Sequence, residues 1–471
     1  MSKLYNLFGK IFYLFFIFLF GFLAIYYLRL KFLNDNINFY TLINFSLIFF
    51  NLIFWTWALF SKSKYKNITL ISYFSMIFSL YVTEIFLQDQ KKKESYSYFL
   101  KVNKNFDTRS KFEIYDDLKK FEDISPIYYP YNQLLKKRII KLKELNNKKV
   151  FILSSISNKR TITCNESGKY LIYESDRYGF NNPNNFWDND VEGVVIGDSM
   201  TLGECVDVSK DIVSILRNSS KKNYINLGMG GNGPLIELGI LKEVTSMVNP
   251  KKIIWIYHEG NDLLDLYNEE KNSILLKYLN PNFSQKIFQH QEFIDNKINE
   301  IIMEEYDEYK TKKLKSLILL HNIRGIFKSY IQKGNKKNID INEKIPSFYK
   351  KLIFTNSKTP YRDKIYLLRK TLEELKNYSN FKGINEIYFV YLPSLARFNG
   401  EFEDSEDLFA RSDVLKIVDD LNFTLIDIYK SFTENNINVL NFFPFKGKKE
   451  HYNIEGYFFI SNVIKNKITK D

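Results

Sequence analysis

Two cysteines and four histidines in 471 residues leave little material for metal or disulfide chemistry. The cysteine count excludes a disulfide scaffold and a Cys-rich zinc protein. Ten prolines and 19 glycines exclude a collagen-like or low-complexity chain. Charge is scarce over long stretches near the start. What is abundant is aromatic: 42 Phe and 33 Tyr, in a chain that is 45% hydrophobic. Such a composition buries a large core and rules out wholesale disorder. At roughly 150 residues per domain, the length allows about three units.

The net charge of +13 and the pI near 9.1 invite a nucleic-acid reading. The distribution argues against it. Residues 1–93 hold ten basic and three acidic residues, whereas the remaining 378 carry 57 against 51. More than half of the surplus therefore belongs to a short N-terminal segment, and no nucleic-acid partner is expected.

That segment contains three apolar stretches, 11–28, 40–60 and 68–87, of which only the last holds a charge, Glu84. A helix needs about 20 such residues to cross the hydrocarbon core. The expectation is a membrane anchor over 1–93 with three transmembrane helices. Five lysines in the N-terminal tail and the Ser61–Asn67 loop place the N-terminus in the cytoplasm by the positive-inside rule. Everything after about Gln90 then lies outside.

Residues 94–190 form a mixed lead-in region, with a polar helical stretch at Tyr128–Lys149, short strand-like runs, and a loop-forming segment SDRYGFNNPNNFWDND at 175–190. From 191 onward, apolar strand-like runs (Gly193–Gly197, Tyr224–Leu227, Lys252–Tyr257, Glu386–Leu392, Thr424–Ile428) alternate with helical patterns. That alternation predicts an α/β fold with a parallel sheet covered on both faces. Residues 263–360 interrupt it as a helical insertion rich in Lys, Glu, Leu and Ile.

Four constellations carry chemistry. VVIGDSMTLG (194–203) ends a buried strand, so Asp198 and Ser199 emerge where open α/β sheets place their active sites. A plain strand-to-helix turn with Ser199 as a cap would read the same way. NLGMGGNGP (226–234) packs four glycines into six residues and satisfies GxGxxG through Gly228, Gly230 and Gly233. With Glu259 ending the next run, a dinucleotide-binding reading must be weighed. IIWIYHEGNDLLDL (253–266) ends a strand in Gly260, Asn261 and Asp262, and an Asn amide there is a good oxyanion donor. KKEHYNIEGYFFISNVI (448–464) places His451 in a polar loop before the last helix.

Taken in order, these motifs resemble the SGNH (GDSL-type) hydrolase family over about 191–262 and 386–460. The resemblance implies a three-layer α/β/α, flavodoxin-like domain with no cofactor and no metal. It assigns Ser199 as nucleophile and His451 as base. The backbone N–H groups of Ser199 and Gly231 and the amide of Asn261 would make the oxyanion hole. One such donor is worth roughly 3–4 kcal/mol. The wording is similar to membrane-attached bacterial SGNH proteins, many associated with modification of envelope polysaccharide. This implies an enzyme at the bacterial cytoplasmic (inner) membrane with its catalytic domain extracytoplasmic. Its substrate would be an O-acyl, such as O-acetyl, ester on a cell-envelope glycan or lipid-linked sugar.

One departure matters. The family places an Asp three residues before the histidine, and here that position is Lys448. Glu450 is adjacent to His451, and Glu455 and Asp427 are further candidates to orient the ring; Asp198 and Glu450 are the expected supporting carboxylates. Cys164 and Cys205 flank the GDS strand and can form a disulfide in an oxidising compartment, two free thiols being the alternative. An O-acyltransferase using the same Ser and His, and a catalytically silent glycan-binding domain, are the competing functions. Oligomeric state is not legible in the sequence.

Overall fold

A computed structural model of the chain describes residues 10–22, 24–25, 39–61, 66–129, 131, 134–135, 140–142, 148–333, 362–398, 410–435 and 437–469. The chain divides into two compact units, Met1–Lys91 with Lys315–Asn335, and Lys92–Leu314 with Lys336–Asp471.

The first unit is helical. Among the described residues, one helix, Asn67–Ser95, is long and apolar enough to cross a membrane. The other two expected spans, 11–28 and 40–60, are only partly covered by the described residues that bear on this length. The 40–60 stretch is a helix, Phe39–Phe60, and the apolar helix Lys10–Phe22 lies in the 11–28 stretch, whose end lies outside the described residues. Their seam is aromatic. Trp55 is fully buried, stacking on Phe16 at 4.5 Å and meeting Tyr73 edge-on at 5.4 Å. Glu84, the single charge in the 68–87 stretch, is also buried. Its carboxylate accepts hydrogen bonds from Asn322 N (2.8 Å), Asn322 Nδ2 (2.9 Å) and Ile323 N (2.9 Å) at the start of helix His321–Lys333. A charge in apolar surroundings is tolerable when its lone pairs are satisfied in this way.

The second unit is built on five parallel strands: β1 (Gly193–Ile196), β2 (Tyr224–Asn226), β3 (Lys252–His258), β4 (Glu386–Leu392) and β5 (Thr424–Asp427). Their spatial order is 2-1-3-4-5, with all four pairings parallel. Each strand falls within a residue or two of its sequence expectation. Side chains alternate between two cores. Val194, Ile196, Ile253 and Trp255 enter one, while Val195, Ile254 and Ile256 enter the other. The first face is covered by helices Pro234–Val244, Arg362–Lys382 and Arg411–Asp420, the second by Ile212–Ser220 and Ile454–Ile468. Burial on both faces is what turns the strands into near-continuous apolar runs.

The lead-in residues belong to this same unit. The helix expected over Tyr128–Lys149 is replaced in part by antiparallel strands Ile140–Leu142 and Lys148–Val150. The 175–190 loop is well ordered by its own hydrogen bonds. Asp176 accepts from Tyr178 N, Phe180 N, Asn182 Nδ2 and Trp187 Nε1, and Asn182 exchanges two bonds with the backbone of Asn226 on the edge strand β2. In the insertion, helices Gln291–Ile318 and His321–Lys333 are present, and residues 334–361 lie outside the described set.

The strand order reverses between β1 and β3, so the crevice at their C-terminal ends is where such a sheet offers a ligand site. Two glycines let the chain turn there. Gly197 has φ +154°, and a Cβ on it would stand 2.1 Å from Thr201 Oγ1. A Cβ on Gly228 would stand 2.2 Å from Leu202 N, so only glycine lets the loop after β2 reach the helix that bears Ser199. Gly228→Ala is expected to cost about 1–3 kcal/mol, read as a lower Tm, and to reduce any activity that depends on Ser199.

Candidate active site

Ser199 begins a short helix, Ser199–Leu202, directly after β1. Asp198 caps it, accepting from Met200 N at 2.8 Å. His451 stands in the loop before the helix Ile454–Ile468, whose N-cap is Asn453. The structure brings the two together: His451 Nε2 is 3.0 Å from Ser199 Oγ. The other ring nitrogen meets a residue that sequence reasoning missed. His451 Nδ1 is 3.1 Å from Glu166 Oε1, and His451 N donates to Glu166 Oε2 at 3.0 Å. Glu166 therefore holds both the ring and the backbone of the histidine. None of the candidates near the histidine in sequence takes this place. Asp427 caps the helix Ile428–Glu434 and pairs with Arg411. Neither Glu450 nor Glu455 touches the ring.

Cys164 and Cys205 form a disulfide with a Cα–Cα distance of 5.3 Å. The bond ties the chain carrying Glu166 to the turn that follows Ser199. This was the one sequence signal able to find the acid, since Glu166 lies two residues from Cys164. Sulfur and carboxylate atoms of Cys164, Glu204 and Cys205 lie within 4.8 Å of one another, as do ligand-type atoms of Glu166, Cys205 and His451. Because both sulfurs are bonded to each other, neither is a thiolate, and the set is a poor metal site.

The expected oxyanion donors are placed differently from one another. Among the described residues, none accepts a hydrogen bond from the backbone N–H of Ser199 or Gly231. Both donors remain available. The loop that carries Gly231 is fixed beside β1 by Met229 N donating to Gly197 O at 3.2 Å, and it is covered by the ring of Tyr131. The Asn261 amide is already engaged. Its two hydrogens go to Asp198 Oδ2 (3.1 Å) and Asp265 Oδ2 (2.9 Å), while its oxygen meets His258 Nδ1 at 2.5 Å. Asn261 thus clasps the end of β1 to the end of β3. Burial, reinforced by neighbouring carboxylates, pushes Asp262, Asp265 and Glu237 well above the usual carboxylate range. The shift favours their neutral forms, which lessens the repulsion that several buried carboxylates would otherwise create.

The glycine-rich loop has a different use from the one GxGxxG suggests. The helix it opens, Pro234–Val244, has its first N–H groups filled by Glu269. That carboxylate accepts from Gly233 N (2.6 Å), Leu235 N (3.0 Å) and Ile236 N (3.4 Å). A dinucleotide pyrophosphate would need that seat. Glu259 is likewise committed, to Arg397, Ser394 N and Tyr391.

His451 is the electrostatic centre of the site. Burial pulls its basicity down, but the charge and hydrogen bond of Glu166, then the charges of Glu204 and Asp198, outweigh burial and push the pKa up to about 9. Glu166 is held below the usual range, burial being more than offset by the imidazolium beside it. At pH 7 only about one imidazole in a hundred is neutral. A base must be neutral to take a proton, so kcat/KM for an ester should rise about tenfold per pH unit from 7 and level off above about 9. In Glu166→Gln the midpoint should move down toward the ordinary histidine value, with the plateau falling by about 10²–10⁴-fold. A pH–rate profile of an aryl acetate checks both.

The disulfide closes a loop with a sequence separation of 41, worth about 4 kcal/mol at most by chain entropy. The double variant Cys164→Ser/Cys205→Ser should lose about 2–4 kcal/mol in a denaturant melt. It should also lose activity, because Glu166 is no longer anchored.

No family model matches the chain, and no curated protein does. Among solved structures, it is similar to the lipase/acylhydrolase from Enterococcus faecalis, with 14% identity and a TM-score of 0.31, over 59% of this chain and 95% of that one.

Proposed function

We propose that this chain is a membrane-anchored serine esterase of SGNH type, cleaving O-acyl esters on a cell-envelope glycan or lipid-linked sugar. The observation that carries the catalytic part is the relay Ser199 Oγ–His451 Nε2, His451 Nδ1–Glu166, with spacings of 3.0 and 3.1 Å, at the C-terminal end of a parallel sheet. Serine is a weak nucleophile at its free pKa and needs a base in contact with it. In the first half-reaction, the Ser199 Oγ–H proton passes to Nε2 as Oγ bonds to the acyl carbon. The free N–H groups of Ser199 and Gly231 supply the oxyanion donors. As the ester C–O bond breaks, the Nε2 proton goes to the leaving alcohol oxygen. Water then repeats the cycle on the acyl-enzyme. Glu166 stays ionised throughout, fixing the tautomer and stabilising the imidazolium.

Anchoring rests on the apolar helix Asn67–Ser95 and the apolar helices that precede it. An extracytoplasmic catalytic unit is favoured by the lysine distribution of the N-terminal segment, and the disulfide agrees with an oxidising compartment. The envelope glycan comes from the motif resemblance.

A fluorophosphonate probe should label the full-length protein in detergent. Labelling should disappear in Ser199→Ala and slow by at least 10²-fold in His451→Ala. Undiminished labelling of a correctly folded Ser199→Ala protein would overturn the assignment.

A further inference from the structure

Glu204 takes no part in the relay, yet its carboxylate stands beside it. Oε2 lies 3.9 Å from His451 Nε2, the same nitrogen that meets Ser199 Oγ. The side chain is fixed at 12% exposure by Tyr128, whose hydroxyl donates to Oε2 at 2.7 Å. Its neighbour Cys205 is bonded to Cys164. The two chains joined by the disulfide therefore each bring a carboxylate to one ring nitrogen, Glu166 to Nδ1 and Glu204 to the side of Nε2.

A separation of 3.9 Å is too long for a direct hydrogen bond. It leaves Glu204 with acceptor capacity to spare. Among the described residues, none donates to Oε1. Besides the His451 ring, Lys111 acts on Glu204 electrostatically, and it lies 5.9 Å from the centre of the Tyr128 ring.

During acyl transfer, Nε2 exchanges its proton with Ser199 Oγ and with the oxygen of the alcohol half of the ester. That alcohol oxygen must come to Nε2, and whatever is bonded next to it comes within reach of Glu204. A carboxylate there accepts from a neighbouring hydroxyl, finds no donor on a plain alkyl chain, and repels an anionic group. We propose that Glu204, positioned by Tyr128, forms the alcohol subsite of this centre, taking an uncharged polyhydroxy alcohol whose second hydroxyl donates to the free carboxylate oxygen. In the reaction, the ester C–O bond breaks, the Nε2 proton moves to the departing oxygen, and the neighbouring hydroxyl keeps its proton while hydrogen-bonded to Glu204. The subsite rests on the serine-esterase reading above.

The test compares three acetate esters on the full-length protein: glycerol monoacetate, propyl acetate and the acetate of glyceric acid. Wild type is expected to favour glycerol monoacetate over propyl acetate at least tenfold in kcat/KM, and over the glyceric ester by a similar factor. The second ratio should collapse toward one in Glu204→Gln, which keeps the shape and removes the charge, while the first should fall only partway because the amide oxygen still accepts. Tyr128→Phe should lower the first ratio partway. Ratios are internal to each variant, so a general loss of rate does not imitate the effect. Unchanged ratios in both variants, or a wild type that hydrolyses all three esters equally, overturn the subsite and leave the esterase reading standing. A wild type that neither hydrolyses aryl acetate nor binds the fluorophosphonate probe overturns both.

Discussion

The imidazole of His451 is the constraint around which the second unit is arranged. It is a largely shielded base that tends to carry a proton, and a cation withdrawn from water is tolerated only where negative partners surround it. Those partners come from distant pieces of chain: Glu166 from before the first sheet strand, Asp198 from its end, and Glu204 from the turn beyond. The disulfide, the short helix at Ser199 and the cap of the last helix all act to hold these pieces against one ring. The strength of that grip also governs reactivity. A base that holds its proton tightly is rarely neutral near pH 7, but takes the serine proton readily when it is.

Much of this fold was legible before any coordinates. The five strands are continuous apolar runs because both faces of the sheet are covered, and such runs stand out from the polar helices between them. Gly197 and Gly228 were visible as glycines in short motifs. Their purpose, close passage of one backbone past another, needed the third dimension. Ser199 and His451 were found from local wording, since each motif sits at a strand or helix boundary that the sequence marks.

Glu166 was not legible by the same route. The motif position for an orienting acid holds Lys448, and the candidates that remain from sequence are Glu450, Glu455 and Asp427. The acid actually used lies 285 residues from the histidine it holds. Sequence separation says nothing about which loop a disulfide pulls across a site. Asn261 shows a related limit: its place at the end of β3 was clear, but the destination of its amide hydrogens depends on Asp198 and Asp265 standing on either side. In the Tyr128–Lys149 stretch, lysine and leucine spacing suggested a helix, while the tyrosines at its start proved to be packing residues over the glycine loop.

Glu84 imposes an order of events on synthesis. Its carboxylate is satisfied by backbone and side-chain donors of Asn322 and Ile323, 238 and 239 residues later in the chain. At about 5–20 residues per second, a ribosome needs roughly ten to fifty seconds to deliver them. Until then the apolar helix carries an acid without the donors that satisfy it in the finished unit. The N-terminal unit therefore reaches its final state only after most of the second unit has been made, although its own helices emerge first.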